Sequence, residues 1–415
     1  MGLFEIMAVL LTLSAVFSFI NYRFIGMPNT IGLMFIGLLF SLLLLAAGTV
    51  IPGVGAWAVS LLDRVDFSET LLHGMLSFLL FAGSLHVNIN DLQDQYRVIG
   101  SLATFGVAVS TFLVGTIIWW VLAEIGQPMP YIYCLLFGAL ISPTDPIAVL
   151  GIMKTAGAPK CLETQIAGES LFNDGVGLVF FLVLLGIATG GHEVSAAHVA
   201  HLFVQESVGG VVFGLATGYF TYLLLRRVDN YQVEVLLTLA LVTGGYALAE
   251  ALHLSAPIAI VVAGLFIGNH GRRLAMSEKT LDRLDTFWEL TDEILNAVLF
   301  VLIGLEVMVL SISAPKLAAG LIAIPVVLLA RFISVSIPVS YLKRFSSFSA
   351  HVVKIMTWSG LRGGISVALA LSLPSGPHRD TILVITYTVV VFSILVQGLT
   401  VERLMGRLGV GGSKS

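Results

Sequence analysis

Apolar stretches of about 20 residues, separated by short polar loops, recur from one end of this sequence to the other, and no other feature limits its folding as strongly. That length spans a bilayer hydrocarbon core about 30 Å thick. Thirteen such segments can be read, near residues 4–20, 30–48, 70–86, 98–122, 131–152, 165–188, 200–225, 232–250, 256–269, 288–308, 317–341, 354–373 and 381–401. Of the 415 residues, 57% are hydrophobic and 11% charged, against about 25% charged in soluble chains. Water cannot be the solvent for most of this surface. Inside lipid the backbone must satisfy itself, which leaves helices or a closed barrel, and runs of this length select helices. The expected fold is an all-α polytopic membrane protein with about 13 transmembrane helices, forming one membrane domain over residues 1–415.

The first segment has no basic region before it and no small-residue cleavage site after it, so it reads as a retained helix. The net charge of −4 is small, and basic residues sit in short loops, which argues against nucleic acid as a partner. Cys134 lies in an apolar segment and Cys161 in a loop, so no disulfide framework or cysteine metal site can be built. The histidines show no HExxH-type spacing. No cofactor is expected, and no enzymatic activity.

Lys and Arg gather on the cytoplasmic side of membrane proteins. Here Arg23, Arg97, Arg226, Arg227, Arg272, Arg273, Lys343, Arg344 and the tail residues Arg403 and Arg407 all fall on one set of alternate loops. The other set holds only Arg64, Lys316 and Arg379. The N-terminus should therefore be outside and the C-terminus cytoplasmic. One helix missed or invented in mid-chain would scramble this separation for every later loop, so the bias supports the count as well.

Polar residues inside the segments carry the functional reading. The fifth contains Ser142-Pro143-Thr144-Asp145-Pro146. Each proline removes a backbone donor and clashes one turn back, so a continuous helix is not expected there, and the freed carbonyls must line a cavity or be buried in protein. The twelfth, Ser359-Gly360-Leu361-Arg362-Gly363-Gly364, is interrupted by three glycines around an arginine. If segments one to six and eight to thirteen are inverted repeats, both interruptions fall on fifth members, which places a site near the midplane. The sixth segment carries Gly168-Glu169-Ser170-Leu171-Phe172-Asn173-Asp174-Gly175. Glu169 and Asn173 share one helical row, Ser170 and Asp174 the next. A charge at a span centre costs about 2.5–3.5 kcal/mol even on lenient scales. A lone Asn or Ser would be read as helix-packing glue, but two carboxylates with Asp145 on a neighbouring span point to ion handling. Arg331, deep in the eleventh segment, needs a carboxylate partner, and Glu169 is the expected one. Arg362 should counter the ends of the broken helix or line a cytoplasmic funnel. Glu250, Glu289, Asp292, Glu293 and Glu306 lie near the ends of segments as read here and carry less weight.

These three motifs, in this order and spacing, resemble the monovalent cation/proton antiporters of the NhaP and NHE type, and the resemblance covers nearly the whole chain. It implies the NhaA-like antiporter fold, two inverted six-helix repeats with crossed broken helices. It also implies an ion site made by Asp174, Asp145, Ser170 and Thr144 and shaped by Asn173, with Glu169 held by a buried arginine. A homodimer is implied too, with a scaffold around residues 4–48 and 200–269 and a moving core around 98–188 and 317–401. The long cytoplasmic tail of animal members is missing, and the chain looks prokaryotic, with the cytoplasmic membrane as its expected location. The chemistry of the residues agrees: oxygen ligands suit a hard cation, and carboxylates also take protons. One site can then bind Na⁺ (or Li⁺) and H⁺ in competition, which is exchange. The Asn173-Asp174 pair resembles the electroneutral branch, implying one H⁺ per cation and a part in pH and sodium homeostasis. A K⁺/H⁺ exchanger of the same fold is the near alternative. A cation channel would be expected to carry a repeated filter loop, and an intramembrane aspartyl protease a Gly-x-Gly-Asp pattern, and neither occurs.

Overall fold

The structure, a computed structural model, describes residues 3–51, 67–145, 149–151, 153, 157–190, 196–272, 276–344 and 348–410. Arg64, Pro146 and Arg273 lie outside them. Each of the thirteen apolar segments is helical, and the described residues contain no strand beyond one isolated bridge. The crossings are α1 (Leu3–Ile20), α2 (Asn29–Val50), α3 (residues 67–85), α4 (Tyr96–Glu124), α5 (Tyr131–Ile141), α6 (Lys160–Ala188) and α7 (Ala196–Leu225). They continue as α8 (Tyr231–Ala251), α9 (Ala256–Gly271), α10 (Glu278–Glu306), α11 (Ala314–Leu342), the half-helices α12a (Val352–Ser359) and α12b (Gly364–Leu371), and α13 (Pro377–Arg407). Eight of these helices are long and apolar enough to cross a membrane.

Local chemistry accounts for most of the ends. Pro28, Pro130 and Pro159 precede α2, α5 and α6, where a missing N–H costs nothing. Asn230 caps α8 by accepting from the Gln232 N–H at 3.0 Å. Gly26 and Gly126, at φ of +72° and +71°, turn the chain out of α1 and α4 in the left-handed region that glycine adopts freely. α10 starts ten residues earlier than its apolar run, because Glu278 to Phe287 forms a polar helical extension that an apolar count passes over.

The pattern of helix contacts maps onto itself when each crossing number is shifted by seven. α2 packs on α10 as α9 packs on α3; α4 packs on α5 as α11 packs on α12a; α5 packs on α6 as α12b packs on α13; α1 touches α10 as α8 touches α3. A shift by an odd number of crossings reverses direction through the membrane, so the two six-helix units are inverted copies. Small residues permit the closest crossings, as membrane helices require. A Cβ at Gly304 on α10 would lie 2.8 Å from the Leu38 nitrogen of α2, and one at Gly138 on α5 would lie 2.2 Å from the Thr111 carbonyl oxygen of α4. Trp288, fully buried against Phe81, ties α10 to α3, and its indole N–H donates to Thr238 of α8 at 3.1 Å.

Candidate functional site

The two broken spans meet at their breaks. α5 stops at Ile141, Ser142 to Thr144 are not helical, and helix resumes at residues 149–151. In the partner span, residues 360–363 separate α12a from α12b. The Asp145 N–H donates to the Leu361 carbonyl at 2.8 Å, joining the two unwound segments in a single antiparallel bridge. Two glycines make this approach possible. A Cβ at Gly363 would lie 2.2 Å from Asp145 Oδ2, and one at Gly360 would lie 2.7 Å from Arg331 Nε.

An unwound segment at this depth leaves backbone groups that need partners. In a continuous helix the Ser142 carbonyl would receive the N–H of residue 146, and proline has none to give. Arg362 takes over that role: its Nη1 donates to the Ser142 carbonyl and, at 2.7 Å, to the Pro143 carbonyl. Its own backbone N–H donates to Ser393 Oγ at 3.0 Å. Ser393 opens a π-helical turn in α13, and Gln397 at the other end of that turn donates to the Trp358 carbonyl at 3.0 Å.

α6 supplies the third wall. Arg331 of α11 grips Glu169 in a bidentate pair, with Nη1 on Oε1 and Nη2 on Oε2, the latter at 2.8 Å. Both residues are buried, and the fork geometry is the one in which a guanidinium best matches a carboxylate. One turn along, Ser170 and Asn173 face the fifth-span break. Thr144 Oγ1 and Ser170 Oγ are 2.9 Å apart, Asn173 Nδ2 donates to Thr144 Oγ1 at 2.9 Å, and the Thr144 N–H donates to Asn173 Oδ1 at 3.3 Å. Gly177, a turn further, leaves room for the Pro143 ring. Asp174 is half-buried and close enough to Asp145 for the two charges to act on each other. The structure thus gathers Thr144, Asp145, Glu169, Ser170, Asn173, Asp174, Arg331 and Arg362 in one region. Three carboxylates and two guanidinium groups there sum to one negative charge, and Asp292 of α10 is close enough for its charge to act on Asp145.

Residues 9–407 match the family described as sodium/hydrogen exchanger, transmembrane. The chain belongs to that family. Its members are multi-pass membrane transporters rather than enzymes. Among relatives, the chain is 50% identical to the Na(+)/H(+) antiporter NhaP of Pseudomonas aeruginosa over 412 residues, covering 98% of this chain and 97% of that one. It is 34% identical to the Na(+)/H(+) antiporter NhaH of Halobacillus dabanensis, covering 92% of each. Its fold matches a solved structure of the sodium proton antiporter MjNhaP1 of Methanocaldococcus jannaschii with a TM-score of 0.76 at 20% identity, covering 98% of this chain and 99% of that one. That likeness covers the inverted repeats and both breaks, so the antiporter fold is that of the whole chain.

Several polar residues of this exchanger core were not singled out from the sequence. Ser142 Oγ donates to the Gly138 carbonyl at 2.7 Å and lies 2.8 Å from Ser110 Oγ, tying the fifth-span break to α4. Asp292, which segment ten placed near a span end, sits midway along the 29-residue α10, one turn from the buried Asn296 and close enough to Asp145 for the two charges to interact. An isolated Ser or Asn in an apolar run carries no sequence signal. For Asp292 the signal was the polar extension of α10, which moves the helix start ten residues earlier and puts Asp292 at mid-helix.

Proposed function

We propose that this protein is a secondary active transporter that exchanges Na⁺ or Li⁺ for H⁺, one for one and without net charge movement, across a bacterial or archaeal cytoplasmic membrane. The charge balance of the core carries this reading. Glu169 is matched by Arg331, and Arg362 is spent on the carbonyls of the fifth-span break, so the five ionisable groups sum to one negative charge. A single Na⁺ or a single H⁺ adds the same charge to these groups, so both loaded forms carry equal charge as long as Asp292 keeps one protonation state through the cycle. The cation's ligands would be the hard oxygens of Asp145, Asp174, Ser170 and Thr144, a donor set suited to an alkali ion, with Asn173 holding Thr144 in place. Asn173 cannot release a proton near neutral pH, and the dipoles of the broken helix keep Asp145 ionised, which leaves Asp174 as the one group that exchanges a proton. The two relatives described above are both Na(+)/H(+) antiporters by name, which supports Na⁺ and H⁺ as the exchanged ions.

Residues 98–188 and 317–401, which contain both breaks, would move as a core. Residues 4–48 and 200–269 would form the scaffold of a homodimer. The outward apolar side chains Phe4 and Phe19 of α1 and Val212 and Phe220 of α7 are exposed, which suits lipid or a second copy. The loop distribution of Lys and Arg supports an external N-terminus and a cytoplasmic C-terminus.

The test is a null-point measurement in liposomes with the potential clamped by potassium and valinomycin and opposing Na⁺ and pH gradients imposed. Flux should vanish when the two gradient ratios are equal, at every potential, because a voltage worth about 2.3 kcal/mol per charge per 100 mV does no net work on a neutral cycle. A null point that moves with voltage overturns the one-for-one reading. Adding Li⁺ or K⁺ in place of Na⁺ ranks the cations, and flux without counter-transport would indicate a channel.

A further inference from the structure

Behind the Glu169–Arg331 pair, α11, the twelfth-span break and α13 enclose a cavity of about 10 Å³, enough for the centre of one water molecule. Arg331 and Arg362 both line it. They are 6% and 1% exposed, and their Nη donors are occupied as described above, but the Nε–H of each has no hydrogen-bond partner among the described residues. A buried donor without an acceptor is costly, more so when it is charged. Arg331 Nε also lies directly over Gly360, on the wall of this cavity. Two arginines, each with an unpartnered Nε–H, therefore line one water-sized space, and their like charges act on each other.

The remaining polar lining supplies acceptors. Gln397 uses its Nε2 on the Trp358 carbonyl, which leaves Oε1 to accept. Thr357 Oγ1 gives its proton to the Val353 carbonyl at 2.7 Å and keeps lone pairs. Two donors and two acceptors complement one water, which accepts twice and donates twice. A halide would satisfy the two N–H groups but would face the lone pairs of Gln397 and Thr357. It would also add a buried negative charge to a core whose carboxylates already outnumber its guanidinium groups.

We propose that this cavity is a built site for one water molecule that bridges Arg331 and Arg362 through their Nε–H groups. The bridge makes Glu169, Arg331, Arg362 and the Ser142 and Pro143 carbonyls one continuous buried network, so that α6, α11 and both broken spans are held as a unit. The inference stands whichever cation is carried.

The test uses the full-length protein in lipid nanodiscs, with structures determined at a resolution that shows buried waters, once in sodium chloride and once in sodium bromide. One density peak should lie about 2.7–3.2 Å from both Nε atoms in either salt, with peak height independent of the halide. Absence of a peak where other buried waters are resolved overturns the proposal, as does a peak that strengthens in bromide. Water-edited solid-state NMR on protein with ¹⁵N-labelled arginine gives an independent reading. Two buried Nε–H signals should gain polarisation from water, and Val389→Ile, which adds a methylene to the cavity wall, should remove that transfer from both signals together. No transfer in the parent protein overturns the site even if the variant fails to fold.

Discussion

The breaks of the fifth and twelfth spans occupy equivalent places in two inverted repeats, yet one carries a carboxylate and the other a guanidinium. Both interrupt a helix, and they are joined by the Asp145 N–H on the Leu361 carbonyl. The difference lies in what each break does with its side chain. Arg362 turns back on the fifth-span break and satisfies its carbonyls, so the twelfth span contributes architecture. Thr144 meets Ser170 and Asn173 of α6, and Asp145 and Asp174 lie close enough for their charges to interact, so in the proposed function the fifth span contributes chemistry. The repeat builds one irregular geometry twice, and the charge set into each copy decides whether it serves as scaffold or as site. Substitutions can break or sharpen that division.

The largest expected effect is on transport with the fold intact. Asp174→Asn should abolish cation-driven proton movement in vesicles, and Asp145→Asn should be nearly as severe, while both proteins insert and melt close to the parent. Full dye dequenching on sodium addition to vesicles of well-expressed Asp174→Asn would remove Asp174 from the mechanism. Next comes Glu169→Ala, which leaves Arg331 buried without its carboxylate at a cost of roughly 3–5 kcal/mol. Its melting temperature in detergent should fall clearly, and an unchanged melt would mean that the pair contributes little to the core.

Arg362→Lys tests the twelfth-span break on its own terms. A lysine keeps the charge but its Nζ stops one bond short of the Nη1 that donates to both carbonyls, so a carbonyl of the fifth-span break should lose its partner at about 1–3 kcal/mol. Stability should drop by more than the cation half-saturation changes, and the reverse order would move Arg362 from scaffold to site. Smaller still is Gly363→Ala. Its Cβ would press on Asp145 Oδ2 and should raise the sodium half-saturation by roughly tenfold, about 1.4 kcal/mol. Gly376→Ala, in open space, should leave it unchanged. The smallest effect belongs outside both breaks. Asp91 pairs with the exposed Lys160 at 2.8 Å, and its hydrogen bond and charge raise the Lys160 pKa. The pair therefore persists at neutral pH, and on the alkaline side it holds until pH passes that raised value. Being solvent-exposed it is screened, and Asp91→Asn should alter neither melting nor exchange.

Much of this was legible in the residues alone. Apolar runs of bilayer length are a one-dimensional signal, and each of the thirteen appears as helix. The prolines around Asp145 and the glycines around Arg362 announce broken helices because they act on the backbone where they stand. A buried charge cannot go unmatched, which pointed Arg331 toward Glu169 before any contact was known. Helix bounds were less legible where a polar extension continues an apolar run, as at Glu278 in α10, which puts Asp292 at mid-helix rather than near its start. The sequence also left two roles open for Arg362, and only the crossing of the two breaks shows it donating to the Ser142 and Pro143 carbonyls. The same crossing sets the fit of Gly363 against Asp145, the Ser142 link to Ser110 and the cavity shared by two Nε–H groups. Those features depend on distances between segments far apart in the chain. Periodicity and composition report what each segment can tolerate around it, whereas the partner that meets each side chain is decided by how the two inverted repeats pack together.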